Sequence, residues 1–369
     1  MNDLVSFDER FARLRLFRSR GVGPLTYRQL MGRAGSGIEA VKLLPELVAE
    51  KRRKGVALAD PCAVEKEIAE ADRIGVGFIS LGEPGYPKAL AQISDPPPVL
   101  GYRGKLELAN ARNVAIVGAR NASAGALAFT RELAKGLGNE GLVVASGLAR
   151  GIDGAAHQGA LATGTIAVLA GGPDSIYPPQ HRELYRQIAQ DGLILSEQPI
   201  GMVARAQDFP KRNRIVSGLS EGVVVIEAAE RSGTLITARL ANEQGRDVFA
   251  VPGSPMDPRC RGTNDLIRKG AILAQDAEDI LSELGSGQGH LFEPDAPPLL
   301  PEDDMDCGDL AELLRTLLSY DPVHKDQLIA ESGASAAQVA VALLDLVLEG
   351  AATEEAGGRY SLSVESGGR

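Results

Sequence analysis

Cysteine is scarce in this 369-residue chain, and the three present, Cys62, Cys260 and Cys307, form no CxxC pair. That scatter argues against a disulfide framework and against a zinc site, and it suggests a reducing compartment. Runs of about 18 or more apolar residues are also lacking, so no transmembrane helix is expected. The first twenty residues carry charges throughout and have no apolar stretch ending in small residues, which excludes a signal peptide and leaves the cytoplasm as the expected location. No GxxxxGK[ST] occurs, so P-loop nucleotide hydrolysis is excluded. No GxGxxG follows the first apolar strand either, and the second strand closes on Ser146-Gly147 where a dinucleotide enzyme needs an acid for the ribose. NAD binding is therefore disfavoured, and no cofactor or metal is expected.

What is present reads as a globular protein of two or three domains, 44% hydrophobic and 24% charged. The net charge of −10 counts against a nucleic-acid ligand at first sight. Net charge governs long-range attraction, however, whereas a site acts locally. Acid is concentrated at Glu302, Asp303, Asp304, Asp306 and Asp309, and base at Lys51-Arg52-Arg53-Lys54 and Lys211-Arg212-Asn213-Arg214.

The chain divides into parts. Residues 1–108 read as short helices with apolar spacing at Phe11, Leu14, Leu16 and Phe17, ending at Asp95-Pro96-Pro97-Pro98, which cannot be helical. Arg20-Gly21-Val22-Gly23-Pro24 resembles the hairpin of helix-hairpin-helix modules, or is a simple structural turn. Residues 109–284 alternate strand and helix. Val114–Val117, Leu142–Ala145, Thr165–Leu169, Leu193–Leu195, Val223–Ile226 and Asp247–Val251 are continuous apolar runs, as expected of strands buried on both faces. Helical patterns at 126–137 and 235–244 lie between them. The fold class predicted is α/β, a Rossmann-like parallel sheet with helices on both sides. Residues 285–308, rich in Gly, Pro and acid, read as a flexible linker. Residues 309–369 carry leucines at helical spacing, two further helices and a hairpin turning at Gly357-Gly358, a winged-helix pattern.

The polar residues collect where strands end. Gly118-Ala119-Arg120 with Ser123, and Ser146-Gly147 with Arg150-Gly151, close two strands and open two helices. Backbone N–H groups at such junctions favour anions, and arginine adds a fork suited to phosphate. Asp153 and His157 share a helix face at i and i+4. They are an acid–base or metal pair, or else a helix cap and a packed histidine; no third ligand lies at suitable spacing. Phe209-Pro210-Lys211-Arg212-Asn213 sets cations beside an aromatic ring that could stack on a base. Ser232-Gly233-Thr234 opens another helix with hydroxyl groups, and Arg261-Gly262-Thr263-Asn264 opens a further one. Several such loops on one sheet edge predict an extended polyanion as ligand, because a mononucleotide needs only one cradle.

These motifs together resemble the DprA/Smf family of bacterial DNA-processing proteins. The likeness runs through Val114 to Ser123, Ser146 to Asp153 with Ala156-His157, Gly164 to Leu169, Tyr177-Pro178, Ser196-Glu197, Phe209 to Arg214, Ser232 to Ala238 and Val251-Pro252-Gly253. It covers nearly the whole middle region, and the flanking helical and winged-helix segments fit the same layout. The resemblance implies sequence-independent binding and protection of single-stranded DNA, loading of the RecA recombinase in natural transformation, a homodimer through the Rossmann-like domain, and no enzymatic activity. It implies that Arg120, Lys211 and Arg212 line the DNA groove. Ala119 departs from the Ser or Thr often found after the first glycine, which removes a hydroxyl contact and is expected to spare the backbone cradle.

Two other readings compete. Glu227 with Ser232-Gly233-Thr234 loosely resembles phosphoribohydrolases on a related sheet, but the doubled glycine of those enzymes is replaced by Arg231-Ser232. A duplex-reading winged helix needs donors on its recognition helix. Residues 335–348 carry Asp345 and no Arg or Lys, which favours a protein contact or a structural role.

Overall fold

The structure is a computed structural model that describes residues 5–50, 55–284 and 309–363. The predicted linker 285–308, the basic run Lys51–Lys54, and Glu302, Asp303, Asp304, Asp306 and Cys307 lie outside the described residues.

Four helices open the chain: α1 (Phe7–Phe17), α2 (Pro24–Ala34), α3 (Gly37–Glu50) and α4 (Pro61–Ile74). Local chemistry sets their ends. Asp60 accepts the Cys62 N–H ahead of Pro61, and Gly35 and Gly75 close α2 and α4 in the left-handed region. Leu16, Val22, Tyr27, Leu30, Ala40 and Leu44 form their core.

The body is a nine-stranded sheet in the order β1-β2-β6-β5-β4-β3-β7-β8-β9. The parallel strands are β3 (Asn113–Gly118), β4 (Val143–Ser146), β5 (Thr165–Leu169), β6 (Leu193–Ser196), β7 (Gly222–Ile226), β8 (Asp247–Ala250) and β9 (Ile272–Leu273). Period-2 alternation divides their side chains between two cores. Val114 and Ile116 meet Leu133, Leu137 and Ile152, from α6 (Ala124–Asn139) and α7 (Ile152–Ala160). Ala115 and Val117 meet Ile215, Leu219 and Ala238, from α9 (Asp208–Leu219) and α10 (Thr234–Glu243), on the opposite face. Helix α8 (Arg182–Asp191) covers β5 and β6 through Leu184, Tyr185 and Ile188.

Residues read from sequence as the end of the helical region supply two strands instead. β1 (Gly77–Ser80) and β2 (Val99–Gly104) flank the short α5 (Lys88–Ala91), and β2 pairs antiparallel with β6, Gly101 opposite Ser196. Tertiary pairing overrides a weak local signal here, since β2 follows three prolines and contains two glycines.

After α11 (Arg261–Arg268) and α12 (Ala277–Glu283) comes the winged helix: α13 (Leu310–Leu317), β10 (Val323–His324), α14 (Lys325–Ser332), α15 (Ala336–Leu348), β11 (Ala352–Glu355) and β12 (Arg359–Leu362). Ser335 and Gln338 form a capping box at α15, and Gly357-Gly358 turn the wing. Its core of Leu314, Leu318, Leu328, Val339 and Leu343 takes in Ala124 from the first turn of α6. The contact is reinforced by Gln327 Nε2 donating to the Ala124 carbonyl at 2.7 Å and by the Arg131–Glu331 ion pair. Arg259 donates to the Thr316 and Leu318 carbonyls at the end of α13, at 2.6 and 2.7 Å.

Candidate nucleic-acid interface

From β3 the chain proceeds to β4, β5 and β6 on one side and later to β7, β8 and β9 on the other. The switch point therefore falls between β3 and β7, where sheets of this kind hold ligands beyond their carboxyl ends. The loops at Gly118–Ser123, Ser146–Gly151 and Glu227–Thr234 all open at that edge, as does the start of α9.

Several of their backbone donors are engaged inside the protein. Ala119 N–H donates to the Ile226 carbonyl at 3.3 Å and so is not itself offered to a ligand. Gly147 and Ala149 N–H both donate to the Asp153 carboxylate. Ser123 N–H and Oγ donate to the two Glu227 oxygens at 2.9 and 2.6 Å. Ser146 Oγ donates to Ile116, Thr234 N–H to Ser232 Oγ, and Thr234 Oγ1 to the Gly118 carbonyl. Ser123, Ser146 and Ser232 are buried, and the first turn of α6 lies under the winged helix. The side chain of Asn264, in the fifth loop, is engaged with Gly253. These polar residues brace the loops against one another.

Arg212 is likewise beneath the surface, 7% exposed, with Nη1 donating to the Val168 carbonyl at 2.9 Å and its charge set against Asp153. It does not line an open groove, contrary to what the resemblance implies. Gly147 is required above it, because a Cβ there would lie 1.6 Å from Arg212 Nη1. Gly151 is required at the start of α7, at φ +75° with the Ala119 carbonyl 2.2 Å from any added Cβ. Arg214 is bound to Glu197 and to the Asp95 carbonyl, tying α9 to the edge of the sheet.

What faces outward is a smaller set. The Arg120 guanidinium lies over the Phe209 ring, 5.1 Å from its centroid. Tyr177 meets the same ring edge-on at 5.8 Å. All three are half-buried, with Arg150 and Asn213 similarly placed. Lys211 is 58% exposed and pairs with Asp208 at 3.1 Å. Tyr177 escaped the sequence reading as a site residue although Tyr177-Pro178 marked its position; only the fold brings it to Phe209.

Asp153 and His157 are both buried and serve the scaffold. Burial pushes the Asp153 carboxyl up, opposed by Arg212, the Ala149 N–H and Arg120. His157 Nδ1 lies 2.7 Å from Thr165 Oγ1, whose own proton goes to the Val144 carbonyl. The imidazole must therefore carry its proton on Nδ1. Burial, with His181 and Arg212 nearby, pushes its pKa down to about 3.

Glu227, Asp257 and Cys260 bring three possible metal ligands within 4.8 Å of one another. Their charge is already answered. Ser123 occupies both Glu227 oxygens, Asp257 grips Arg259 at 2.8 and 3.0 Å, and burial holds the Cys260 thiol protonated, its pKa pushed up to about 12. Arg259 is the cation of this cluster.

A largely parallel sheet with polar loops at its switch point, a helical module before it and a winged helix after it define a three-part α/β protein. The chain belongs to the DprA/Smf family. It matches DNA recombination-mediator protein A over residues 77–285, the DprA-like N-terminal HHH domain over 7–70 and the DprA winged helix domain over 294–358. It is 34% identical to Protein Smf of Synechocystis over 92% of this chain and 96% of that one. The X-ray structure of DprA from Streptococcus pneumoniae matches with a TM-score of 0.64 at 33% identity, over 76% of this chain and 99% of that one. DNA processing protein A from Helicobacter pylori, described for its single-stranded DNA binding mode, matches with a TM-score of 0.52 at 33% identity, over 56% and 95%.

Proposed function

We propose that this chain binds single-stranded DNA without reading its sequence, at the carboxyl edge of the sheet in the body 109–284, and that it works as a homodimer that loads RecA. The observation that carries the binding is the stack of Arg120 on Phe209 with Tyr177 against it, flanked by exposed Lys211. A cation over a half-exposed ring offers one nucleotide of a strand a phosphate partner and a stacking surface, which every base can use. The Helicobacter pylori relative, described by its single-stranded DNA binding mode, supports the same ligand. A nucleotide-cleaving role for Glu227 is disfavoured by its engagement with Ser123.

Titration of labelled oligo-dT and a matched duplex at several salt concentrations tests this. Single strands are expected to bind more tightly, with a log–log salt slope that Arg120→Ala and Lys211→Ala each flatten by roughly 0.7. Phe209→Ala is expected to cost about 1–3 kcal/mol at every salt concentration. Binding indifferent to all three substitutions, or base release from nucleotides that Glu227→Ala abolishes, would overturn the proposal.

A further inference from the structure

The C-terminal domain presents a surface away from the proposed DNA site. Helix α15 is apolar nearly all round. One side, with Val339, Leu343 and Leu346, fills the domain core. The opposite side leaves Val341, Leu344 and Leu348 exposed at 62, 57 and 76%, spaced i, i+3, i+7 along one stripe. It borders a groove of about 790 Å³ between the start of α13 and α15, edged by Asp309, Asp345 and Glu349. Three large aliphatic side chains in one exposed row are what a partner-binding face shows and a lone surface leucine does not. Helix α14 makes the contact with α6, so this stripe lies outside the docking of the winged helix on the sheet.

We propose that this face docks an amphipathic helix of another protein, one whose apolar stripe is flanked by lysine or arginine. Charge selects that occupant. Residues 309–363 hold nine carboxylates and three basic side chains. Of the groove's acids, Glu349 meets Arg315 at 3.3 Å, while Asp345 pairs with no base among the described residues. A duplex would set its phosphates against this acid, and α15 has no Arg or Lys to meet them. A second copy is disfavoured by symmetry: an isologous antiparallel pair centred on Leu344 would bring Asp345 toward its own copy with no base to answer it. A basic helix removes the repulsion and fills the stripe. From Ala337 to Leu348 the surface runs roughly 17 Å, about three turns, a length that suits i, i+3, i+7 anchors.

The test uses the full chain and two synthetic helical peptides about five turns long, alike in their leucine stripe and flanked by lysine in one and by glutamate in the other. Fluorescence anisotropy is expected to show saturable binding of the lysine peptide alone. V341S and L348S combined should weaken it about tenfold or more, and D345K should shift preference toward the glutamate peptide. Circular dichroism and unchanged oligo-dT binding verify that the variants fold. The proposal is overturned if neither peptide binds, if both bind alike, or if binding ignores the substitutions. It is also overturned if sedimentation shows that V341S and L348S dissociate an oligomer of the free protein, since a second copy would then occupy the stripe.

Discussion

His157 makes folding stability depend on pH in a way the structure specifies. The imidazole is fully buried on α7, donates from Nδ1 to Thr165 Oγ1, and has no partner for Nε2 among the described residues. A second proton would have to sit on that buried nitrogen, close to His181 and Arg212, which is why the folded pKa falls from 6.5 to about 3. The unfolded chain takes up the proton near pH 6.5; the folded chain does not until about pH 3. Stability from this group is therefore full above pH 6.5 and declines as pH falls toward 3, at up to about 1.4 kcal/mol per pH unit. Between pH 7 and pH 5 the loss integrates to about 2 kcal/mol. Urea unfolding of the wild type and of His157→Gln at pH 7, 6 and 5 isolates it, because every other group titrates in both proteins. The wild type should lose about 2 kcal/mol more than the variant over that range. Parallel pH profiles would refute the assignment of a neutral, proton-resistant His157.

Two further outcomes follow from the same packing. Gly147→Ala should expel the Arg212 guanidinium, break its bond to Val168 and take from Asp153 the stronger of its two cations, costing about 3–5 kcal/mol in chemical denaturation; a cost below about 1 kcal/mol would mean the loop yields instead. Arg259→Ala should release the end of α13 from the sheet domain, visible as faster hydrogen exchange in α13 and α14 while β3 to β7 stay protected, and unchanged exchange in those helices would refute the role of Arg259.

The central strands were legible because a strand buried on both faces is apolar throughout, and the short β-branched runs Val114–Val117 and Val223–Ile226, each flanked by a glycine, favour strand over helix. Helix ends were legible wherever capping is local, as at Ser335 and Gly333. β1 and β2 were not, since their strand character comes from pairing with each other and with β6 across about ninety residues of chain. The site divides the same way. Sequence placed Arg120, Lys211 and Phe209 on loops at strand ends, but exposure decides which of them can touch a ligand, and exposure is set by distant partners. Arg212 and Lys211 are neighbours in sequence, yet one reaches down to Val168 and the other out to solvent. Helical phase separates them: the buried face of α9 includes Arg212, Ile215, Val216 and Leu219, and Lys211 falls outside it.

Spent backbone donors change what the switch point can do. An N–H that already donates to Asp153 or Ile226 cannot also meet a phosphate without losing a buried bond, at a cost of about 1–3 kcal/mol each. In the proposed function the side chains of Arg120, Tyr177, Phe209 and Lys211 therefore carry more of the binding than those engaged donors do. The winged helix covers the start of α6 and brings its excess of acid. In the proposed function a polyanion is therefore steered across the Arg120–Phe209 platform and away from the domain that carries α15. A basic helix approaching the same protein is drawn the opposite way. If both proposals hold, the two surfaces sort a nucleic-acid strand from a protein partner by charge sign, which lets a chain of net charge −10 take both.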